Sequence, residues 1–330
     1  MQFNKRILNI FILITIILFG TSCSKQPALQ NKDDKTAFKI LCTTFSQYDW
    51  VKNIVADIDG IEVEYILESG ADLHNYQPSA EDIVNINECD LLIYVGGSSD
   101  YTILEIVNKA NKSDSSIFDM MSHLNGRLLC DEDEDAEHSH NHNDENKHDN
   151  SEYDEHVWLS LKNAKILCSS ISERLCELLP ERSDKIKSNA QNYILEIENL
   201  DAEYAQKISA CNKSQIVVAD RFPLIYLAKD YSLECFKPFS GCSSETEASF
   251  DKILELSKKI DEFDLKYVIV LENSNSNIAK SVINNTKLKN QEILYINSLQ
   301  SVTKSDIDNG LTFLDTMKNN LDVIVKVLND

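Results

Sequence analysis

Basic residues are in short supply: 32 Lys and Arg stand against 54 Asp and Glu, for a formal net charge of -22. Phosphate backbones are bound through clustered Lys and Arg, so this balance excludes nucleic acid as a partner class and is compatible with attracting cations. Gly and Pro are also few, 8 and 5 in 330 residues, which leaves room for long uninterrupted helices. No HExxH appears anywhere, so the commonest helix of zinc hydrolases is missing. No CxxC pair occurs among the nine Cys, and their scattered spacing lacks the density of a disulfide scaffold. The apolar run from Ile7 to Phe19 is too short to cross a membrane comfortably. What remains is a chain with material for about two domains of ordinary size.

The N-terminus reads as an export signal. Lys5 and Arg6 precede the apolar run, and Gly20-Thr21-Ser22 are small residues before Cys23. The residues around Cys23 resemble a lipoprotein cleavage box, with Gly20 departing from the usual aliphatic. That implies residues 1–23 as a lipoprotein signal peptide, Cys23 as the lipidation site, and an extracytoplasmic protein anchored to the outer face of the cytoplasmic membrane. Residues 24–36 are polar and suit a flexible tether. Eight Cys lie from Cys42 to Cys242. Burial as small apolar residues suits most of them, and any disulfide pairing is not readable from spacing.

Short β-branched and aromatic runs alternate with stretches of helical period, the pattern of α/β units around parallel sheets. Phe38 to Thr43, Ile61 to Leu67 and Leu91 to Val95 form one group of runs; Gln215 to Ala219, Lys266 to Leu271 and Glu292 to Ile296 form a second. Each group predicts one lobe, over residues 37–179 and 213–330. Between them, Pro180 to Cys211 has no Gly or Pro after its first residue. Ile186, Ala190, Tyr193, Ile197, Leu200, Tyr204 and Ile208 recur there at steps of three and four, which predicts one stiff connecting helix over 180–212. At 1.5 Å rise per residue it reaches roughly 45 Å. Residues 131–155 are dominated by Asp, Glu, His and Asn and cannot bury a core, so they read as a disordered insertion in the first lobe. Its His138, His140, His142 and His148 make it a candidate auxiliary metal-binding loop, against the alternative of a purely solvated acidic loop.

Functional residues of α/β sheets collect at the carboxyl ends of strands. His74 follows the run ending at Leu67, in a turn before a helix whose start carries Ser79 and Asp82 at capping-box spacing. His156 stands where the polar insertion ends, beside Asp154 and Glu155, acids placed to orient an imidazole. In the second group, Asp220 and Glu272 sit directly at strand ends, where a carboxylate is costly unless paired, hydrogen-bonded or metal-bound. Arg221 is an equally available partner for Asp220. Two imidazoles and two carboxylates together suit Zn2+, and the oxygen donors also admit Mn2+ or Fe2+.

Gly70-Ala71-Asp72-Leu73-His74-Asn75-Tyr76-Gln77-Pro78-Ser79 and Asp154-Glu155-His156-Val157-Trp158-Leu159-Ser160 resemble the first and second ligand motifs of the metal-specific solute-binding lipoproteins of ABC importers, the zinc-uptake and TroA-like group. More weakly, the likeness runs along the chain past the lipid box, including a closing helix near Thr312 to Leu328. The third motif departs from the family form. An ungapped count back from Tyr226 lands on Arg221, which cannot ligate, so the chemistry points to Asp220 with a one-residue shift. Gly241 to Ser249 matches a segment of some members. At the fourth position, where many relatives have Asp, this chain has Asn297-Ser298; Glu272 is the preferred substitute and Asn297 a possible neutral contact.

The resemblance implies two Rossmann-like lobes of the periplasmic binding protein class, closing slightly over zinc carried as cargo. It implies a monomeric carrier without catalysis whose partners are an importer permease and its ATPase. Two readings compete. A surface adhesin on the same scaffold would hold a structural metal, and a zinc hydrolase would need an open coordination position and a general base, a role Glu155 could imitate.

Overall fold

The fold follows from where β-branched runs stop and helical period begins. The computed structural model describes residues 37–67, 69–71, 73–110, 112–130, 153–239 and 248–330. Cys23, the tether, the loop residues His138, His140, His142 and His148, and most of Gly241 to Ser249 lie outside them.

In the first lobe, β1 (Phe38–Cys42), α1 (Phe45–Ile54), β2 (Ile61–Tyr65), α2 (Ala80–Glu88), β3 (Leu91–Tyr94), α3 (Tyr101–Ala110) and β4 (Ile117–Asp119) build a sheet of order β2-β1-β3-β4. Every pairing in it is parallel. Leu91 to Tyr94 are all buried, as a central parallel strand with both faces covered requires. The expected capping box at α2 is present: Ser79 Oγ accepts from Asp82 N and Asp82 Oδ2 accepts from Ser79 N.

Then α4 (Leu161–Leu178) leads to α5 (Ser183–Ser209). The seven apolar residues read from the sequence are the buried face of α5. The helix starts three residues into the stretch 180–212: Pro180–Arg182 is a separate 3-10 turn, and Arg182, at φ -110° and ψ 0°, is the residue that precedes Ser183 as N-cap. Its 27 residues still span about 40 Å.

The second lobe contains β5 (Gln215–Val217), α6 (Ile225–Asp230), β6 (Glu234–Phe236), α7 (Phe250–Phe263), β7 (Tyr267–Leu271), α8 (Asn277–Asn284), β8 (Glu292–Ile296), α9 (Lys304–Asp308) and α10 (Phe313–Asn329). Two parallel pairs, β5 with β6 and β7 with β8, are joined by a parallel bridge between Val218 and Ile269. The strands thus run β6-β5-β7-β8, the same order of crossovers as in the first lobe.

One end of α5 is fixed to the first lobe, where Tyr193 Oη donates to Asp49 Oδ2 at 2.9 Å and Asn189 Nδ2 to Ala56 O at 2.8 Å. Toward the other end, Tyr204 Oη donates to Met317 O of α10. Trp50 of α1 meets Phe313 of α10 edge-on, ring centroids 5.3 Å apart. One apolar core therefore runs continuously through both lobes, and a smaller one lies behind β7. Among the described residues the seven Cys are all thiols, with Cys42, Cys89 and Cys168 buried as small apolar groups.

Candidate metal site

Both sheets reverse strand order between their central strands, and the side chains of interest lie past the carboxyl ends there, where an open α/β sheet leaves a crevice. From the loop after β2, a one-turn 3-10 helix, Leu73–Asn75, presents His74. Its approach passes Gly70, at φ +76°, where a Cβ would come within 2.8 Å of Thr303 Cγ2 in the second lobe, so only glycine fits that crossing. His156 caps the 3-10 turn Val157–Leu159 and is 1% exposed.

The two imidazoles converge. His74 Nε2 and His156 Nε2 are 3.2 Å apart. Behind His156, Asp154 Oδ1 accepts from the His156 backbone N at 2.9 Å and lies 3.1 Å from Nδ1. A carboxylate beside Nδ1 favours the tautomer that carries its proton on that nitrogen and its lone pair on Nε2. Asp154 is held in turn: its backbone carbonyl accepts from Tyr226 Oη at 2.7 Å and its N donates to Leu129 O at 2.8 Å. The acid beside the histidine was legible in the sequence; the tyrosine from the opposite lobe was not.

His74 has a support that the sequence reading missed. Ser99 Oγ lies 2.7 Å from His74 Nδ1. Glu155 Oε1 accepts from Ser98 Oγ at 2.6 Å and from Ser99 N at 2.9 Å, fixing the turn after β3. Gly97 makes room, because a Cβ there would fall 2.1 Å from Glu155 Cγ. The run Gly96-Gly97-Ser98-Ser99 at the end of an apolar strand was the available signal. Nearby Asp100 is wholly buried, which pushes its carboxyl up to about 7 despite the Gly96 N–H it accepts at 2.8 Å.

Asp220 and Glu272, from the ends of β5 and β7, line one cleft of about 490 Å³ together with Arg221 and Asn75, the residue after His74. Asp220 Oδ1 accepts from Arg221 N at 2.9 Å and Oδ2 from Leu271 N at 3.4 Å. Glu272 accepts from Ser298 N at 2.7 Å and Ser298 Oγ at 2.6 Å; burial raises its carboxyl above the ordinary range, and the two Ser298 bonds oppose that. Ser298 O accepts from Trp158 Nε1 at 3.0 Å, so the turn bearing His156 and the holder of Glu272 are directly bonded across the lobes. Asn297 Oδ1 accepts from Leu299 N at 2.8 Å. The structure thus brings His74 to His156 and places Asp220 with Glu272 along one cleft. Among the described residues no three His, Cys, Asp or Glu side chains are gathered to hold one ion.

Solved structures share this architecture. The periplasmic zinc-binding protein TroA from Treponema pallidum superposes with a TM-score of 0.71 at 20% identity, covering 89% of this chain and 100% of that one. By sequence, a zinc-binding protein AdcA of Streptococcus pyogenes serotype M18 is 26% identical over 97% of this chain and 61% of its own length. The high-affinity zinc uptake system protein ZnuA of Bacillus subtilis is 25% identical over 97% of each. The chain spans about three fifths of the AdcA relatives it matches, 61% in the case above. These likenesses define the class: a two-lobed α/β protein of the TroA-like kind, its lobes spanned by one long helix. The family model described as ZnuA, zinc-uptake complex component A, periplasmic, matches residues 40–327, and the chain belongs to that family.

Proposed function

We propose that this protein binds a zinc ion outside the cytoplasm and delivers it to the permease of an ABC importer, as a carrier without catalysis, tethered by lipid at Cys23. The observation that carries this reading is the 3.2 Å separation of the two Nε2 atoms, with Asp154 Oδ1 3.1 Å from His156 Nδ1 on the far side of that ring. Two nitrogen ligands at 2.0–2.1 Å from a tetrahedral zinc are themselves about 3.3–3.4 Å apart, so the pair is already spaced for it. Asp220 and Glu272, which line one cleft with Asn75, are the ligands proposed from the second lobe. Carboxylates also suit Mn2+ and Fe2+, but two imidazoles favour the borderline-soft ion. Membership of the zinc-uptake family supports importer delivery.

Equilibrium titration of the metal-stripped, folded protein tests this. Zinc should bind reversibly at one tight equivalent, well ahead of Mn2+ in competition. A protein that unfolds on stripping would instead hold its metal structurally, and one that takes up no zinc would end the proposal. Removing residues 131–150 should leave that tight equivalent within about threefold of the parent affinity while lowering the number of weak sites, because the four proposed ligands lie elsewhere. Loss of tight binding on deletion would move the site into the loop.

A further inference from the structure

His156 belongs to the first lobe by sequence, yet the turn that carries it is held from the second. The short helix α6 packs on that turn and bonds to it on both sides. Ahead of His156, Tyr226 Oη donates to Asp154 O at 2.7 Å and accepts from Leu129 N at 3.2 Å, while Asp154 N donates to Leu129 O at 2.8 Å. One phenol closes this ring of bonds, because a hydroxyl both donates and accepts. Behind His156, Asp230 accepts from Ser160 Oγ and pairs with Arg127 at 3.3 Å and Lys162 at 3.6 Å. Ser160 Oγ also accepts from Asn163 N at 3.0 Å as the cap of α4, and Asn163 Nδ2 donates to Val157 O at 3.3 Å, inside the turn. Tyr226, Ser160 and Asn163 are buried, so water does not compete for these bonds.

We propose that Tyr226 is a positioning residue for zinc, holding the backbone of Asp154, and through it His156, in place from the opposite lobe; this rests on His156 being a zinc ligand. The chain of contacts is short. Asp154 gives its backbone carbonyl to Tyr226 and turns its carboxylate to His156, where Oδ1 accepts from the backbone N at 2.9 Å and lies 3.1 Å from Nδ1. Partners of this kind orient a metal-bound imidazole, and a partner whose own backbone is fixed can orient it only one way. The helix that carries Tyr226 starts at Ile225, directly after the segment Asp220-Arg221-Phe222-Pro223-Leu224. The same helix therefore steadies a ligand proposed from the first lobe and ends the segment that bears one from the second. Drawing α6 off the first lobe slackens both ligands together, which links the grip on zinc to the relation between the lobes.

Zinc affinity of the full chain is the readout that separates positioning from plain support of the fold. It compares two folded forms, so a bond that only stabilises the fold is lost from both and cancels. Tyr226→Phe keeps the buried ring and removes only the hydroxyl. It should weaken zinc about 5- to 10-fold, at or below the low end of the 10- to 100-fold loss usual for a group that touches the ligand itself. In a His156→Ala background the same change should alter affinity by less than about twofold, since no ring is left to position and the two effects stop adding. Competition with a chromophoric chelator measures all four proteins, and circular dichroism checks their fold. A Tyr226→Phe protein that binds like the parent, or one whose loss is as large without the His156 ring as with it, overturns the role of Tyr226 alone. Unchanged affinity in His156→Ala by itself removes His156 as a ligand and the zinc reading of this turn with it.

Discussion

His156→Ala should lower zinc affinity by about 10²–10³-fold while leaving the fold in place. Structural zinc sites bind with about 10–16 kcal/mol, so each of four ligands carries on the order of 3–4 kcal/mol. His156 stands to lose at least that share, because it is the proposed ligand with the best-formed support: 1% exposed, bonded through Nδ1 to Asp154, and packed edge-on against Trp158 at 5.2 Å. Asp154→Asn is the graded companion. It removes the charge that fixes the tautomer and leaves the ring, so the loss should be about 10- to 100-fold. Competition against a chromophoric chelator reads both values, and circular dichroism checks the fold. An affinity within threefold of the parent for His156→Ala would take this residue out of the shell and leave the convergence with His74 without a metal-binding meaning.

How far such a site can be read from sequence depends on whether the signal is periodic, local or long-range. The inward face of α5 was legible residue by residue, since burial on a helix repeats every three to four positions. The five strands of four or five residues, and the three-residue β5 inside the run Gln215 to Ala219, were legible from β-branched runs, and the carboxyl ends of these runs led to His74, Asp220 and Glu272. β4 and β6 were not: each has three residues and, unlike β5, is not part of a longer β-branched run. Asp154 could be anticipated because it lies two residues from the ring it orients. Ser99, Tyr226 and Ser298 could not: their partners are 25, 72 and 26 positions away, and nothing in a serine or tyrosine announces which distant group it will meet. The domain limits read from composition likewise gave no hint that one core would run unbroken from Trp50 to Phe313.

That continuity makes Trp50→Ala the substitution with the largest expected effect on stability, a loss of about 3–5 kcal/mol in the free energy of unfolding. Trp50 is fully buried on α1 and meets Phe313 of α10 at an interplanar angle of 82°, an arrangement worth about 0.5–1.5 kcal/mol beyond the area it covers. Its truncation opens a cavity where the two lobes and α5 come together, and the helices around it cannot all collapse inward, since α5 is fixed on one side through Tyr193 to Asp49 and on the other through Tyr204 to Met317. Trp50→Phe should cost far less, about 1–2 kcal/mol. The indole N–H has no hydrogen-bond partner among the described residues, so replacing it with an apolar ring removes a buried donor that contributes nothing. Urea unfolding of the metal-free protein, with the slope unchanged between variants, measures both. A loss under 1 kcal/mol for Trp50→Ala would mean that the lobes are held by α5 alone, and the shared core would then be a boundary that happens to be dry.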